Sequence, residues 1–378
     1  MRKQKAEIRS RVAGIPPLLI SAFCFLNFCF SSISRLAFAA VLGFLTLAAG
    51  RADDLPLATW QGQTMGSTYT VKIVDARLTE QQTEALKAEV EQKLKEVNRQ
   101  MSHYQPDSEL SQFNRASANT PFKVSPDFAR VVRQSLELNR GSHGAFDPTI
   151  GPIISLWGFG AQTDVHTVPP DARLREAMNQ TGCQHLSVTP RGELVKDISG
   201  LQLNLSAIAK GFGVDAMAGV LRAHGLTNLY VSISGEVFTS GRNPRGGKWQ
   251  VGISAPVLNW RPGDPTVAVL SVSGQAVSTS GDYQKFFIDA EGRRRAHIFD
   301  PQTGNPVQHN LGSVTVVADN CTIADGLATT LYVLGPEAGP RFIETWTNAA
   351  ALFIVRESAG KFRSLPSARF AGLTGYQP

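Results

Sequence analysis

"NLSAIAKGFGVDAMAGVLRAHGLTNLYVSISGEV", residues 204–237, holds the change of rhythm that decides the fold class. A loop runs into a helix that Gly225 stops, "NLYVSIS" reads as a strand, and "SGEV" reads as a tight turn. Downstream, "KWQVGIS", "VAVLSVS", "QAVSTS", "RAHIFD" and "GSVTVVA" read as further strands of a mixed or antiparallel sheet. A last helix over 322–334 precedes an apolar strand, "AALFIV". Upstream, "TYTVKIVD" (68–75) is strand-like. It leads into a helix in which Leu86, Val90, Leu94, Val97 and Met101 recur at helical spacing behind a Thr79/Gln82 capping box. A second helix starts at Ser125-Pro126, turns Phe128, Val131, Val132 and Leu136 inward, and stops at Gly141. Residues 141–160, rich in Gly, Pro and aromatics, suit a shaped binding loop better than a helix or strand. Helices interleaved with many strands, without a repeat or a low-complexity linker, predict a single-core α+β fold whose sheet is flanked by helices.

The chain has 378 residues, 42% of them apolar, enough to bury a sizeable core. Its formal charge of +6 is confined to residues 1–52, which hold seven Lys and Arg and one acid, Glu7; the remainder carries 30 of each sign. A neutral body offers no electrostatic footprint for nucleic acid. The leader has a basic start and two apolar runs, 15–33 and 36–49, and reads as an export signal. Gly50 and Ala52 fit the small positions of a cleavage site, which places the processed domain at 53–378 and the protein in the periplasm. An uncleaved anchor is the competing reading, because the first run approaches the ~20 residues that span a bilayer. With no Cys after "LTLAAG", lipoprotein attachment is not expected. Cys24 and Cys29 lie in the leader; Cys183 and Cys321 either pair in the oxidising compartment or remain free.

Several stretches carry candidate chemistry. Glycines in "AKGFGVD" suit either an ordinary helix start or a backbone approach to phosphate, with Lys210 able to neutralise one. Rossmann and P-loop spacings are both absent. In "TIADGLATTL" (322–331), Asp325 and Thr329 stand at i and i+4, so one helix face presents two oxygens that suit a hard cation. The alternative is that Thr322 is an N-cap and Asp325 complements the helix dipole. His143 and His297, each beside an Asp-Pro corner, are candidate bases. No GxSxG or HExxH occurs, so serine-hydrolase and zinc-peptidase readings fall away.

Eight segments in order, "TMGSTYTV", "MSHYQPDSELSQFN", "GAFDPTIGPIISLWGFG", "LSAIAKGFGVD", "SGE", "AVSTSGDY", "HIFDPQTGNP" and "TIADGLATTL", resemble the ApbE family of flavin transferases over roughly residues 60–360. The resemblance implies a T-fold-like α+β architecture with FAD as substrate. It also implies a Mg2+-dependent transfer of FMN to a Thr or Ser hydroxyl of an acceptor flavoprotein, with AMP released. By position, Met65, Tyr104, Ala145, Phe146, Asp147, Asn204, Lys210 and Ile298 would contact FAD. Ala207 (through its carbonyl), Asp325 and Thr329 would hold Mg2+. His297 is assigned as the base on chemical grounds, with Asp325 as the other catalytic residue. Asn204 departs from the family, which commonly places an acid there. Acceptors in the family are membrane redox subunits of the sodium-pumping or Rnf type, or regulators of nitrous-oxide respiration. An FAD pyrophosphatase and a non-catalytic flavin-binding module are the alternative readings.

Overall fold

The computed structural model describes residues 54–161, 166–258, 263–358 and 360–377. The leader of residues 1–52 and its cleavage position lie outside the described residues. Among the described residues, no helix is long and apolar enough to cross a membrane.

In chain order the first elements are β1 (Leu57–Thr64), β2 (Ser67–Val74), α1 (Glu80–Met101), α2 (Glu109–Arg115), α3 (Pro126–Gly141), α4 (Gly151–Leu156) and α5 (Asp171–Met178). They are followed by β3 (Leu186–Val188), β4 (Leu194–Lys196), α6 (Ala209–Ala223), β5 (Leu229–Ile233), β6 (Glu236–Ser240), β7 (Trp249–Ser254) and β8 (Thr266–Val272). The rest are β9 (Gln275–Gly281), β10 (Phe286–Ile288), β11 (Arg294–Ala296), β12 (Leu311–Ala318), α7 (Cys321–Ile343), β13 (Ala349–Arg356), β14 (Phe362–Pro366) and α8 (Phe370–Thr374).

Eight strands form the main sheet in the order β1-β2-β5-β6-β9-β12-β13-β14. Every neighbouring pair in it is antiparallel. Successive side chains point to opposite faces. Phe238, Ala276 and Val316 therefore join the core under the helices, while Val237, Val277 and Val317 join a second core on the other face with Leu270 of β8 and Phe370 of α8. This alternation puts Glu236 and Ser278 on the helix side with Phe238 and Ala276.

The two upstream helices form as their sequences predict. Thr79 and Gln82 close the capping box of α1, and the Ser125 side chain accepts from Phe128 N at the start of α3, with Pro126 in its first turn. Four expectations change. "RAHIFD" contributes only to β11, which pairs with β10 in a small sheet of its own. "KWQVGIS" and "VAVLSVS" pair with each other as β7 and β8 in a separate two-stranded sheet. The 141–160 loop contains the short helix α4. The helix foreseen at 322–334 is capped by Asn320, whose side chain accepts from Ile323 N at 2.9 Å, and not by Thr322. It runs on to Ile343 across a kink at Gly335, whose φ of 76° breaks the helix where the first segment was expected to stop.

The glycines of "AKGFG" are explained by packing. A Cβ on Gly211 would stand 2.2 Å from the Cys321 carbonyl oxygen and 2.7 Å from Asp325 Cβ. On Gly213 it would meet Ile233 Cδ1 at 2.8 Å and Met65 Cε at 2.9 Å. Helix α6 thus lies against α7 at a distance only glycine permits. Gly211→Ala is expected to lower stability by about 1–3 kcal/mol, because its obstacle is backbone that cannot swing away; a thermal melt beside wild type checks this. Cys183 and Cys321 are both free thiols.

Candidate active site

Asp325 lies in the second turn of α7, 4% exposed, and its Oδ2 accepts the Gly211 N–H at 2.8 Å. That donor is one of the first-turn amides of α6, which have no partner within their own helix. Asp325 therefore caps the neighbouring helix and not its own. The capping of α7 falls partly to Asp215, which takes Cys321 N at 2.8 Å, Thr322 N at 2.8 Å and the Thr322 hydroxyl at 2.5 Å. The dipole reading of Asp325 is thereby corrected. Burial first, then the charge of Glu236, pushes the Asp325 carboxyl up to about 7, against the pull of Lys210.

Thr329, one turn on, shares a 3.1 Å hydrogen bond with Ser280 Oγ of β9. A hydroxyl has one proton and two lone pairs, so this bond leaves Thr329 an acceptor site for a cation. Lys210 Nζ donates to Glu236 Oε1 at 2.7 Å. Glu236 and Asp325 hold the Lys210 ammonium charged against the opposing effect of burial. Ala207 sits in the turn that leads into α6, directly after the half-turn closed by Asn204 Oδ1 on Ser206 N at 3.0 Å.

His297 follows β11. Its backbone N–H and its Nδ1 both address the Lys285 carbonyl, at 3.2 Å and 3.1 Å. A carbonyl can only accept, so Nδ1 carries the proton and Nε2 keeps its lone pair. Burial, with the charges of Lys285 and Lys210, lowers the imidazole to about 4. Lys210 and Asp325 meet at the start of α6, where Asp325 holds the N–H of Gly211, the residue after Lys210. His143, the other candidate base, is exposed in a turn at φ 53°.

A cleft of about 370 Å³ is lined by His103, Ser111, Asn114, Arg115, Ser155, Gly160 and Asn204 among others. Phe159, one residue from the lining Gly160, brings its ring to 6.5 Å from that of His297. Tyr104, 61% exposed, lies against His103 with the ring centroids 4.0 Å apart and the planes tilted by 40°. Met65 and Gly66 form the two-residue β1–β2 turn at φ 49° and 69°, a primed hairpin geometry that places Met65 over Gly213. Ala145 is buried, and the Phe146 ring lies in the main core, so Phe146 supports its loop from beneath and can meet a ligand only through its backbone. Asp147 is tied inside the same loop by Thr149 N at 2.7 Å and the Thr149 hydroxyl at 2.6 Å. Asn204 N donates to the Pro148 carbonyl at 2.8 Å, joining that loop to the cleft. Ile298 is buried in the main core directly after His297.

Sequence reasoning gave no role to three residues of this region. Glu236, in the turn-plus-strand "SGEV", is the partner of Lys210. Asp215 caps α7. Asn114 clamps the 203 backbone, donating to Leu203 O at 2.9 Å and accepting from Leu203 N at 2.7 Å. Position within the quoted motifs was their only signal, because each partner lies far away along the chain.

A divalent cation fits these residues. Among the described residues no cluster of three or more His, Cys, Asp or Glu side chains could hold a metal. Mg2+ does not need one, since it keeps several waters and binds through one or two carboxylates plus substrate phosphates. Asp325, the free lone pair of Thr329 and the Ala207 carbonyl are donors of that kind. The buried Glu236 Oε2 has no hydrogen-bond partner, an unused acceptor on the carboxylate that pairs with Lys210.

The eight-stranded antiparallel sheet flanked by helices defines an α+β protein, with the Lys210–Glu236 ion pair and the buried Asp325 where α6 meets α7. The sequence matches the ApbE family over residues 65–353, and the chain belongs to that family. It is 38% identical over 330 residues to the FAD:protein FMN transferase of Vibrio cholerae, covering 87% of this chain and 96% of that one. To the protein of the same name from Haemophilus influenzae it is 38% identical over 340 residues, covering 89% and 96%. The solved structure of the flavin transferase ApbE from Vibrio cholerae superposes with a TM-score of 0.76 at 37% identity, covering 84% of this chain and all of that one.

Proposed function

We propose that the protein moves FMN from FAD to a Thr or Ser hydroxyl of an acceptor flavoprotein, forming a phosphoester and releasing AMP. The observation that supports the reading is the ion-paired Lys210 beside the buried Asp325 at the start of α6 in a chain of the ApbE family, with the His297 Nε2 lone pair left free by the bond of Nδ1 to the Lys285 carbonyl. Attack of a neutral hydroxyl on a diphosphate requires that the phosphoryl charge be offset and that the nucleophile lose its proton. Lys210 stands where it offsets that charge. Asp325, Thr329 and the Ala207 carbonyl would hold Mg2+, which supplies Lewis-acid polarisation and a clamp on the diphosphate. His297 Nε2 takes the hydroxyl proton as the acceptor oxygen bonds to the phosphorus of the FMN half, and the bond from that phosphorus to the AMP oxygen breaks. Tyr104 and Met65 grip the flavin that is retained. Asn204, a neutral amide in place of the acid common in the family, leaves the cation with less negative charge from that side.

Flavin fluorescence on a denaturing gel tests the reading: with FAD, Mg2+ and an acceptor domain bearing a suitable Thr, the acceptor band becomes fluorescent. Absence of that band while the acceptor remains intact argues against transfer. The acceptor is a membrane redox subunit of the sodium-pumping or Rnf type, or a regulator of nitrous-oxide respiration, facing the periplasm. Export rests on the basic start and apolar runs of residues 1–52. Mass spectrometry of the native protein is expected to find an N-terminus near Asp53; an intact leader on a membrane-bound form would establish the anchor instead.

A further inference from the structure

Glu236 is 3% exposed, and only one of its carboxylate oxygens is used: Oε1 accepts from Lys210, while Oε2 has no partner. The Ser278 hydroxyl is also fully buried without a partner. The two belong together. The β6–β9 ladder pairs Phe238 with Ala276 and Val237 with Val277, and one step further along it Glu236 comes opposite Ser278. Both point to the helix side, toward α6 and α7.

A buried polar atom without a hydrogen bond costs about 1–3 kcal/mol, and more when it is charged. Two such atoms side by side call for a ligand that donates to both. The charges agree, since Glu236 holds the Lys210 ammonium and Asp325 holds the N–H of the next residue, Gly211. We propose that Glu236 and Ser278 form an outer ring around the divalent cation, accepting hydrogen bonds from its water ligands. Glu236 thereby sets both cation affinity and the placement of Lys210. It is a positioning residue, and its role rests on the cation reading above.

The test is Mn2+ titrated into FAD-saturated protein, with free Mn2+ read by electron paramagnetic resonance. Glu236→Gln keeps the size of the side chain and removes the charge; it is expected to weaken Mn2+ binding by about 10- to 100-fold, the usual effect of losing an outer-shell partner. Ser278→Ala, a small change that leaves the ion pair intact, is expected to weaken it in the same direction and covers the case in which Glu236→Gln fails to fold. The double variant Glu236→Gln/Lys210→Met, which removes both charges of the pair, should remain weak. A purely structural Glu236 would lower the melting temperature and leave Mn2+ affinity unchanged in the folded single variants, which overturns the inference. Asp325→Asn separates the two levels. If it too binds Mn2+ normally, the cation reading itself fails; if it loses Mn2+ while Glu236→Gln and Ser278→Ala bind as wild type, only the outer-ring assignment fails.

Discussion

Asp325→Asn is expected to reduce FMN transfer by roughly 10²- to 10³-fold, the effect of removing one group that stabilises charge at the reacting phosphorus. The choice of Asn follows from the second role of this side chain. Asp325 Oδ2 accepts the Gly211 N–H inside the α6–α7 contact, so Ala would leave a buried amide unpaired at about 1–3 kcal/mol and confuse instability with lost chemistry. Asn keeps an acceptor at that amide and gives up the negative charge. The melting temperature should stay near wild type while the response of the rate to added Mg2+ disappears. Unchanged Mg2+ dependence in a folded Asp325→Asn protein would remove the residue from the cation site.

The second large effect is expected at His297. Loss of a general base slows such reactions by roughly 10²- to 10⁴-fold. His297→Ala should therefore lower kcat far more than it weakens FAD binding, which equilibrium titration measures separately. His297→Asn provides the control: its amide can still donate to the Lys285 carbonyl but cannot take a proton, so it should be as slow as the Ala variant. The pH profile gives an independent check. Because the folded imidazole sits near 4, below its ordinary 6.5, the base form is complete at neutral pH. The part of the rate that depends on His297 should hold steady as pH falls through 6.5 and decline as it approaches 4. A limb at 6.5 that vanishes in His297→Asn would mean that the imidazole is not desolvated during the reaction.

Much of this was legible along the chain where the signal is local. The capping box of α1, the Ser-Pro start of α3 and the apolar strand that becomes β13 depend on neighbours a few residues apart, and they formed as read. The i, i+4 pair of Asp325 and Thr329 was visible for the same reason. What escaped depends on contacts between distant segments. Gly211 looks like a tolerated helix glycine until Cys321 is placed 2.2 Å from its missing Cβ. Asp325 looks like a dipole partner of its own helix, yet it caps α6 while Asp215 of α6 caps α7. Phe146 stands in a loop whose composition suits binding, yet its ring completes the main core. Glu236 closes a turn in the sequence and becomes the counter-charge of Lys210 only when β6 lies beneath α6.

The most direct test of the transfer reaction is to follow AMP release and covalent flavin together, with and without an acceptor domain, at saturating FAD and Mg2+. The proposed transfer should give AMP in equal amount to flavin fixed on the acceptor, with little AMP when the acceptor is omitted or its Thr is replaced by Ala. AMP formed at the same rate in all cases, with no flavin on the acceptor, would contradict transfer and identify water as the nucleophile, as in an FAD pyrophosphatase.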